Sequence, residues 1–491
     1  MKLELIGHEY KYAVEQIMLA LFPKERPEYG SLDAGYTDFS AVSRLSLGKV
    51  YAQAAALIRR GDDISRGYAR VKRCKLDGKI ISDRLLQRII KQSFYRAALD
   101  FIETPPVWGS LTGIRPAQLA AAELMAGKSE TSTVKHLIRE YYVSPERAKL
   151  CVDAARSAIS EKKTLESKDI ALYVGIPFCP TRCAYCSFVS NSVEKSFGMI
   201  EPFAQTLLRE IDDASELINT LGLRVIAVYI GGGTPTALPA GTLEIIMQAL
   251  KNSIDLTHIR EYTVEAGRPD TITVQKLEIM RRLGARRVCV NPQSMSRDVL
   301  MAIGRNHTPE DIRDAVRYAR QCGMALNMDL IAGLPGDTPE GFLLSLNEVL
   351  SFDPESITVH TLSLKKGSRI TLGEFLIPSG ADVAGMLEHA SKRLHESGFA
   401  PYYLYRQKFT SGGFENTGWC RPGYEGIYNI CMMEELCTVL ALGGGAVTKL
   451  VSPDGKIERI FNAKYPREYV LLNKAADKFE KIKRFYHAIS L

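Results

Sequence analysis

Short β-branched runs alternate with amphipathic helical stretches from about residue 170 to 400, and this alternation restricts the fold more than any other feature of the chain. The runs are Ala171–Ile176, Val225–Ile230, Glu261–Ala266, Arg287–Asn291, Ala325–Ile331 and Ser356–Ser363. After the first run, Phe203, Leu207, Ile211 and Ile218 recur at helical-turn spacing among Arg209, Glu210, Asp212 and Asp213. Strands joined through helices pair in parallel with right-handed crossovers. The pattern therefore predicts an α/β fold, either doubly wound or closed into a full or partial barrel. At 491 residues the chain exceeds one ordinary core, so two or three domains are expected.

The flanks read differently. Residues 1–165 suggest a strand at the start, a helix near Tyr10–Leu21 and mostly helical periodicity from Ser82 to Ile159. Pro105 and Pro106, followed by Trp108–Pro116, mark a turn into a helix. The charged run Glu161–Asp169 reads as a linker. Past residue 400 come aromatic and glycine-rich segments, including Leu442–Ala446, and then a basic C-terminal helix. The expected domains are a mostly helical α+β region at 1–165 of unassigned role, a core at 166–370, and an α+β extension at 371–491 that covers the substrate.

Composition narrows the setting. With 46% apolar and 24% charged residues the chain is ordinary for a soluble globular protein. The net charge of +7 would suit an anionic substrate or nucleic acid, but it reads more simply as a slightly basic surface. Met1–Ile6 lacks a signal-peptide apolar region, and no 18 apolar residues run together to span a bilayer. Ten cysteines without an export signal point to reduced thiols and metal ligation in the cytoplasm.

In parallel α/β barrels the chemistry gathers at the C-terminal strand ends. The first strand runs into Cys179-Pro180-Thr181-Arg182-Cys183-Ala184-Tyr185-Cys186. Four cysteines saturate a four-iron cluster, whereas three leave one iron open. Zinc would want a fourth ligand, and none lies nearby in sequence. The second strand leads to Gly231-Gly232-Gly233-Thr234-Pro235-Thr236, which lacks the Lys-Ser/Thr pair of a phosphate loop. Its glycines instead let backbone approach a ligand's amino group. Glu265 ends the third strand and would be costly to bury without a ligand hydroxyl or a cation. Gln293 and Ser294 follow the fourth, Asp329 lies in the fifth ahead of Gly333–Gly336, and His360 lies in the sixth. His360 reads as a hydrogen-bonded structural residue; Gln293, Arg305 and Asp329 taken singly are ordinary polar positions.

Together these residues resemble a known family. The C-x3-C-x2-C triplet, with Tyr185 before its last cysteine, is similar to the radical S-adenosylmethionine superfamily. Tyr173–Cys179, Tyr229–Thr236, Val264–Ala266, Arg287–Ser294, Ile303–Arg305 and Asp329–Pro335 resemble, as an ordered set, the oxygen-independent coproporphyrinogen III oxidase family. With Trp108–Pro116 and the long N-terminal region the resemblance is strongest to its HemZ-type branch. The resemblance implies a partial (β/α)6 TIM-like barrel. It assigns Cys179, Cys183 and Cys186 to three irons of a 4Fe-4S cluster whose fourth iron chelates S-adenosylmethionine. Tyr173, Tyr185, Gly232, Gly233 and Thr234 would line that cofactor's pocket. Glu265, Gln293, Arg305 and Asp329 match further cofactor positions, some of which serve a second S-adenosylmethionine.

The implied reaction uses a 5′-deoxyadenosyl radical to remove a β-hydrogen from a substrate propionate, and loss of carbon dioxide and an electron leaves a vinyl group. Coproporphyrinogen III would thus become protoporphyrinogen, with electrons from an unidentified donor. Two departures from family patterns stand out. Phe188 occupies the place of a further cysteine usual in the oxidising branch, as in the haem-chaperone relatives. Gly426–Met433 keeps an asparagine but lacks the His-Asn-x-x-Tyr-Trp element of those relatives. Cys420, Cys431 and Cys437 read as packed thiols. Arg182, Arg268, Arg406 and Lys408 are candidate partners for a tetra-anionic macrocycle, each with solvated surface charge as its default reading. No single residue stands out as a substrate base. The competing readings are a haem-binding carrier and, ranked last for want of an aromatic-rich basic stretch, a radical enzyme acting on RNA.

Overall fold

The computed structural model describes residues 1–32, 38–186, 191–364, 370, 376–407, 410–472 and 475–489. They form two compact units, Met1–Val152 and Asp153–Leu491. Among the described residues no helix is long and apolar enough to cross a membrane.

The first unit holds β1 (Lys2–Ile6), α1 (Lys11–Leu21), β2 (Glu28–Tyr29), β3 (Ser40–Leu47), β4 (Tyr51–Arg60), β5 (Asp63–Lys72) and α2 (Gly78–Ala98). Its sheet runs in the order β2-β1-β3-β4-β5. Strands β3, β4 and β5 form an antiparallel meander that sequence periodicity leaves unread. The reason is composition: Ala52, Ala54, Ala55 and Ala56 favour helix when isolated. Here their small side chains let the helices pack close. Ile17, Met18, Ile89, Ile90 and Phe94 bury against Ala41, Ala54, Ala56 and Ile58. A Cβ on Gly67 would collide with the Ser93 carbonyl of α2. Helices α3 (Pro116–Met125), α4 (Glu130–Tyr141) and α5 (Pro145–Thr164) follow, and the division between the units falls inside α5. Glu161, expected in a linker, instead closes the last turns of α5. It is buried and receives the Arg260 guanidinium at 2.7 Å, which outweighs the local charge repulsion that suggested a linker.

The second unit continues with β6 (Asp169–Ile176), β7 (Phe178–Cys179), β8 (Asn191–Ser192), α6 (Val193–Ser196), α7 (Ile200–Leu221), β9 (Arg224–Gly232) and α8 (Ala240–Ser253). Next come β10 (Glu261–Glu265), α9 (Val274–Arg282), β11 (Arg287–Cys289), α10 (Arg297–Ala302), α11 (Pro309–Gln321), β12 (Ala325–Ala332), α12 (Pro339–Ser351) and β13 (Ser356–Thr361). Strands β6, β9, β10, β11, β12 and β13 pair in parallel in chain order, giving the expected six-unit α/β barrel core. The remaining elements are α13 (Gly380–Glu396), β14 (Ala400–Arg406), β15 (Glu415–Cys420), α14 (Ile427–Glu434), β16 (Thr438–Gly443), β17 (Val447–Val451), β18 (Ile457–Phe461), α15 (Pro466–Leu472) and α16 (Ala475–Ile489). Strands β14 and β15 extend the same sheet antiparallel beyond β13, and β16, running parallel to β6, extends it at the other edge.

Register sorts the barrel strands by chemistry. Tyr173 pairs with Tyr229, Glu265 with Cys289, Cys289 with Asn327, Asp329 with Thr358 and Ile331 with His360. Side chains alternate along a strand, so this mostly polar set shares one face. Hydrogen bonds cross that face from Tyr229 to Glu265 and from Ser356 to Asn327. The opposite face carries buried Val174, Val228, Val264, Val288, Leu326, Leu330 and Val359. Helices cover such an apolar face, leaving the polar one to the lumen.

Candidate functional site

The cysteine loop is pinned by backbone before any side chain acts. Gly233 N–H donates to the Ile176 carbonyl and Thr234 N–H to the Phe178 carbonyl, both at 2.7 Å. The Thr234 hydroxyl donates to Cys179 Sγ at 3.5 Å. A Cβ on Gly233 would sit 2.5 Å from the Phe178 oxygen and 3.0 Å from Cys179 Sγ, so only glycine allows this approach. Gly232 has a φ of +109°, a conformation that glycine supplies without cost. Ala184 N–H donates to the Ile303 carbonyl at 2.9 Å, tying the loop to the end of α10. Cys183 is buried, while Cys179 and Cys186 are partly exposed. Phe188 and Lys408 lie outside the described residues.

A buried arginine supports the loop from the far side. Arg305 donates to the Tyr185 hydroxyl at 3.0 Å and to the carbonyls of Gly267 and Asn291 at 2.9 and 2.7 Å. Burial opposes its charge, but Tyr185 and the Cys183 sulfur more than offset this and push its pKa up. Arg305 Nε and Asn291 Oδ1 are buried without a hydrogen-bond partner. Orphaned polar atoms of this kind are costly and call for a ligand or ordered water.

The lumen below is aromatic and acidic. Tyr173, Tyr229 and Tyr428 form a stack, with ring centroids 5.8 Å apart for Tyr173–Tyr428 and 4.3 Å for Tyr229–Tyr428. Tyr428 arrives from α14, whose first turn is anchored by its N–H donating to Glu261 Oε2 at 2.8 Å. Because Glu261 starts β10, α14 floors the lumen opposite the cysteine loop. The Tyr229 hydroxyl donates to Glu265 Oε1 at 2.6 Å and lies 3.9 Å from Cys289 Sγ. Burial pushes the Glu265 carboxyl up to about 7, with the nearby Asp329 charge adding to the rise. Asp329 accepts from Asn327 Nδ2 at 2.8 Å and has His360 Nε2 at 3.6 Å. Gln293 is buried with φ +68°, its backbone exchanging hydrogen bonds with Asp329 and Ile331 on β12. A left-handed non-glycine residue held at a strand end is a strained position of the kind that clusters at functional sites.

The structure thus brings Tyr173, Tyr185, Gly232, Gly233, Thr234, Glu265, Gln293, Arg305 and Asp329 to the strand-end half of the same barrel as the three cysteines. Sequence reasoning missed Tyr229, Cys289 and Tyr428, which look like core residues until register and α14 place them in the lumen. The three described cations suggested for a macrocycle sit in different settings. Arg182 is exposed. Arg406 donates to the Gly413 carbonyl at 2.9 Å, and burial lowers its pKa to about 10. Arg268 is a correction: it is buried and held by Asp270, facing the cysteine loop rather than solvent. Cys420, Cys431 and Cys437 are buried and outside any disulfide, as packed thiols should be.

These residues fit a cluster with an amino-acid-bearing cofactor. Among the described residues no three His, Cys, Asp or Glu side chains converge at single-ion spacing. Thiolates serving separate irons of a cluster do not need to converge. Glycine backbone abuts the thiol loop, and orphaned polar atoms of Arg305 and Asn291 lie beside it.

Comparison with known proteins agrees. Residues 173–349 match the radical SAM superfamily, which implies a 4Fe-4S cluster and S-adenosylmethionine. The chain is 40% identical over 370 residues to the "oxygen-independent coproporphyrinogen-III oxidase-like protein HemZ" of Bacillus subtilis (strain 168), covering 74% of both chains. It is 25% identical over 302 residues to the "heme chaperone HemW" of Escherichia coli (strain K12), covering 61% of this chain and 75% of that one. The solved structure of coproporphyrinogen III oxidase (HemN) from Escherichia coli shares the fold, with TM-score 0.50 and 20% identity over 66% of this chain and 73% of that one.

Proposed function

The chain belongs to the HemZ-like oxygen-independent coproporphyrinogen oxidase family of the radical SAM superfamily, and from that premise we propose that it decarboxylates the propionates of coproporphyrinogen III to vinyl groups. One observation carries the reading: the cysteine loop, the Gly231–Thr234 turn and the Arg305–Tyr185 pair meet at one end of a lumen lined mostly by polar side chains. Cys179, Cys183 and Cys186 would hold three irons of the cluster. Tyr173, Tyr185, Gly232, Gly233, Thr234, Glu265, Gln293, Arg305 and Asp329 would bind one or two S-adenosylmethionine molecules. When bound, these groups supply the one-electron chemistry that abstracts a hydrogen atom.

The chain's own residues do the rest. The Gly232–Gly233 backbone offers hydrogen bonds at close approach, and Arg305 presents fixed cationic donors near Tyr185. Glu265, whose carboxyl burial raises to about 7, would ionise beside a sulfonium cation. The Tyr173–Tyr229–Tyr428 stack and α14 exclude water from below. We place the protein in the cytoplasm, where its thiols stay reduced, with a separate protein or small molecule as electron donor.

The test is anaerobic incubation of the reconstituted, reduced protein with coproporphyrinogen III, measuring protoporphyrinogen and 5′-deoxyadenosine. Both products are expected. Cofactor cleavage without a vinyl product rejects the substrate, and stoichiometric haem binding without turnover favours the carrier reading. Cys183→Ala is expected to abolish both the iron–sulfur chromophore and cofactor cleavage.

A further inference from the structure

We propose that Arg268 sets the reduction potential of the cluster by donating a hydrogen bond toward the Cys183 sulfur, while Asp270 limits how much of the arginine's charge that sulfur feels. This rests on the reading that Cys183 ligates the cluster.

Arg268 follows β10 and lies 85 positions from Cys183 in the chain, yet its Nη1 is 3.9 Å from Cys183 Sγ and 2.9 Å from Thr181 Oγ1. The other edge of the guanidinium is occupied. Nε and Nη2 donate to Asp270 Oδ1 and Oδ2 at 2.9 and 2.8 Å, a bidentate geometry that fixes the plane of the group. Only 3% of the Arg268 side chain is exposed, so solvent screens little of this field. Asp270 is kept ionised: burial opposes its charge, but Arg268 more than compensates and holds its pKa below the usual range.

His307 does not enter the charge balance. It lies 3.9 Å from Asp270, and burial, with Arg305 adding to the effect, pushes it down to about 3, so it is neutral at pH 7. Arg268 and Asp270 therefore make a nearly neutral pair whose cationic end points at the sulfur. A donor aimed at a cluster thiolate stabilises the more negative, reduced cluster and raises its potential. Removing the donor should lower the potential. Removing the compensating carboxylate should raise it.

This opposition of sign is what a merely structural clamp would not produce. The experiment reconstitutes the full chain anaerobically and measures iron and sulfide content, visible absorbance and an electron-paramagnetic-resonance redox titration of wild type, Arg268→Gln and Asp270→Asn. The expected result is loaded cluster in all three. At a fixed poise near the wild-type midpoint, the reduced-to-oxidised ratio falls at least threefold in Arg268→Gln and rises at least threefold in Asp270→Asn. An unchanged potential in loaded Arg268→Gln, or shifts of the same sign in both variants, overturns the proposal. Should Arg268→Gln fail to load, Asp270→Asn decides alone: a rise supports the proposal, and no change or a fall rejects it. Should wild type load no cluster, or Cys183→Ala keep one, the underlying reading fails instead.

Discussion

Glu210 in α7 and Glu265 at the end of β10 have their carboxyls packed inside the second unit, and they meet opposite fates. Glu210 accepts hydrogen bonds from Lys478 Nζ (2.7 Å), Tyr469 (2.5 Å), Asn462 (2.9 Å) and the Gly443 N–H (2.7 Å). Burial opposes its charge, but Lys478 and the other donors prevail and hold the pKa below 4.5. Glu265 has one hydrogen bond, from Tyr229, and faces Asp329, so burial raises it to about 7. The saturated carboxylate rivets α7 to α16 and the β16 end. The under-satisfied one keeps acceptor capacity for a ligand, which a site must and a rivet must not.

The largest expected effect is on the rivet. Glu210→Ala leaves the Lys478 ammonium buried and unpaired and should cost about 3–5 kcal/mol in a urea titration. A loss below about 1 kcal/mol would break the contrast. Next comes the cysteine-loop contact: Gly233→Ala forces a Cβ against Phe178 and Cys179, at about 1–3 kcal/mol of strain. Iron content after reconstitution should fall more sharply than global stability, because the strain is confined to the loop.

Glu265→Gln removes the charge that burial penalises, so stability at pH 7 should rise rather than fall. S-adenosylmethionine affinity in the cluster-loaded protein should nevertheless fall roughly tenfold, as loss of about 1.4 kcal/mol from a charge-assisted contact implies; calorimetry measures it. Most diagnostic is the pH slope. Glu265 has a folded pKa of about 7 against 4.5 unfolded, so the folded state holds more protons in that window. Its contribution to stability therefore falls as pH rises from about 4.5 to 7. Melting curves of the protein without cofactor across that window should flatten in Glu265→Gln. The Glu210 contribution runs the other way, being present above 4.5 and lost as pH falls through its depressed folded value.

Much of the core was legible in the sequence. The six runs of 171–363 became β6 and β9–β13 because β-branched runs between amphipathic helices have few alternatives. The meander β3–β5 was not, because alanine-rich strands carry no strand signal until paired. In the site, the cysteines, glycines and Glu265 could be read from short contiguous words. Tyr428 could not, since α14 enters the lumen from more than 150 residues past Glu261. Arg268 looked like surface charge because nothing local announces Asp270 and Thr181 as its partners.

What the sequence by itself determined is chemistry carried by neighbours along the chain: a thiol triplet, a glycine turn, a strand–helix repeat. Tertiary structure alone decided which face of each strand became the lumen, which glutamate was saturated and which left wanting, and which arginine faced a cysteine. The physical reason is range. Backbone conformation and ligand spacing are set within a few residues, whereas desolvation and hydrogen-bond satisfaction depend on groups that only the folded register brings together.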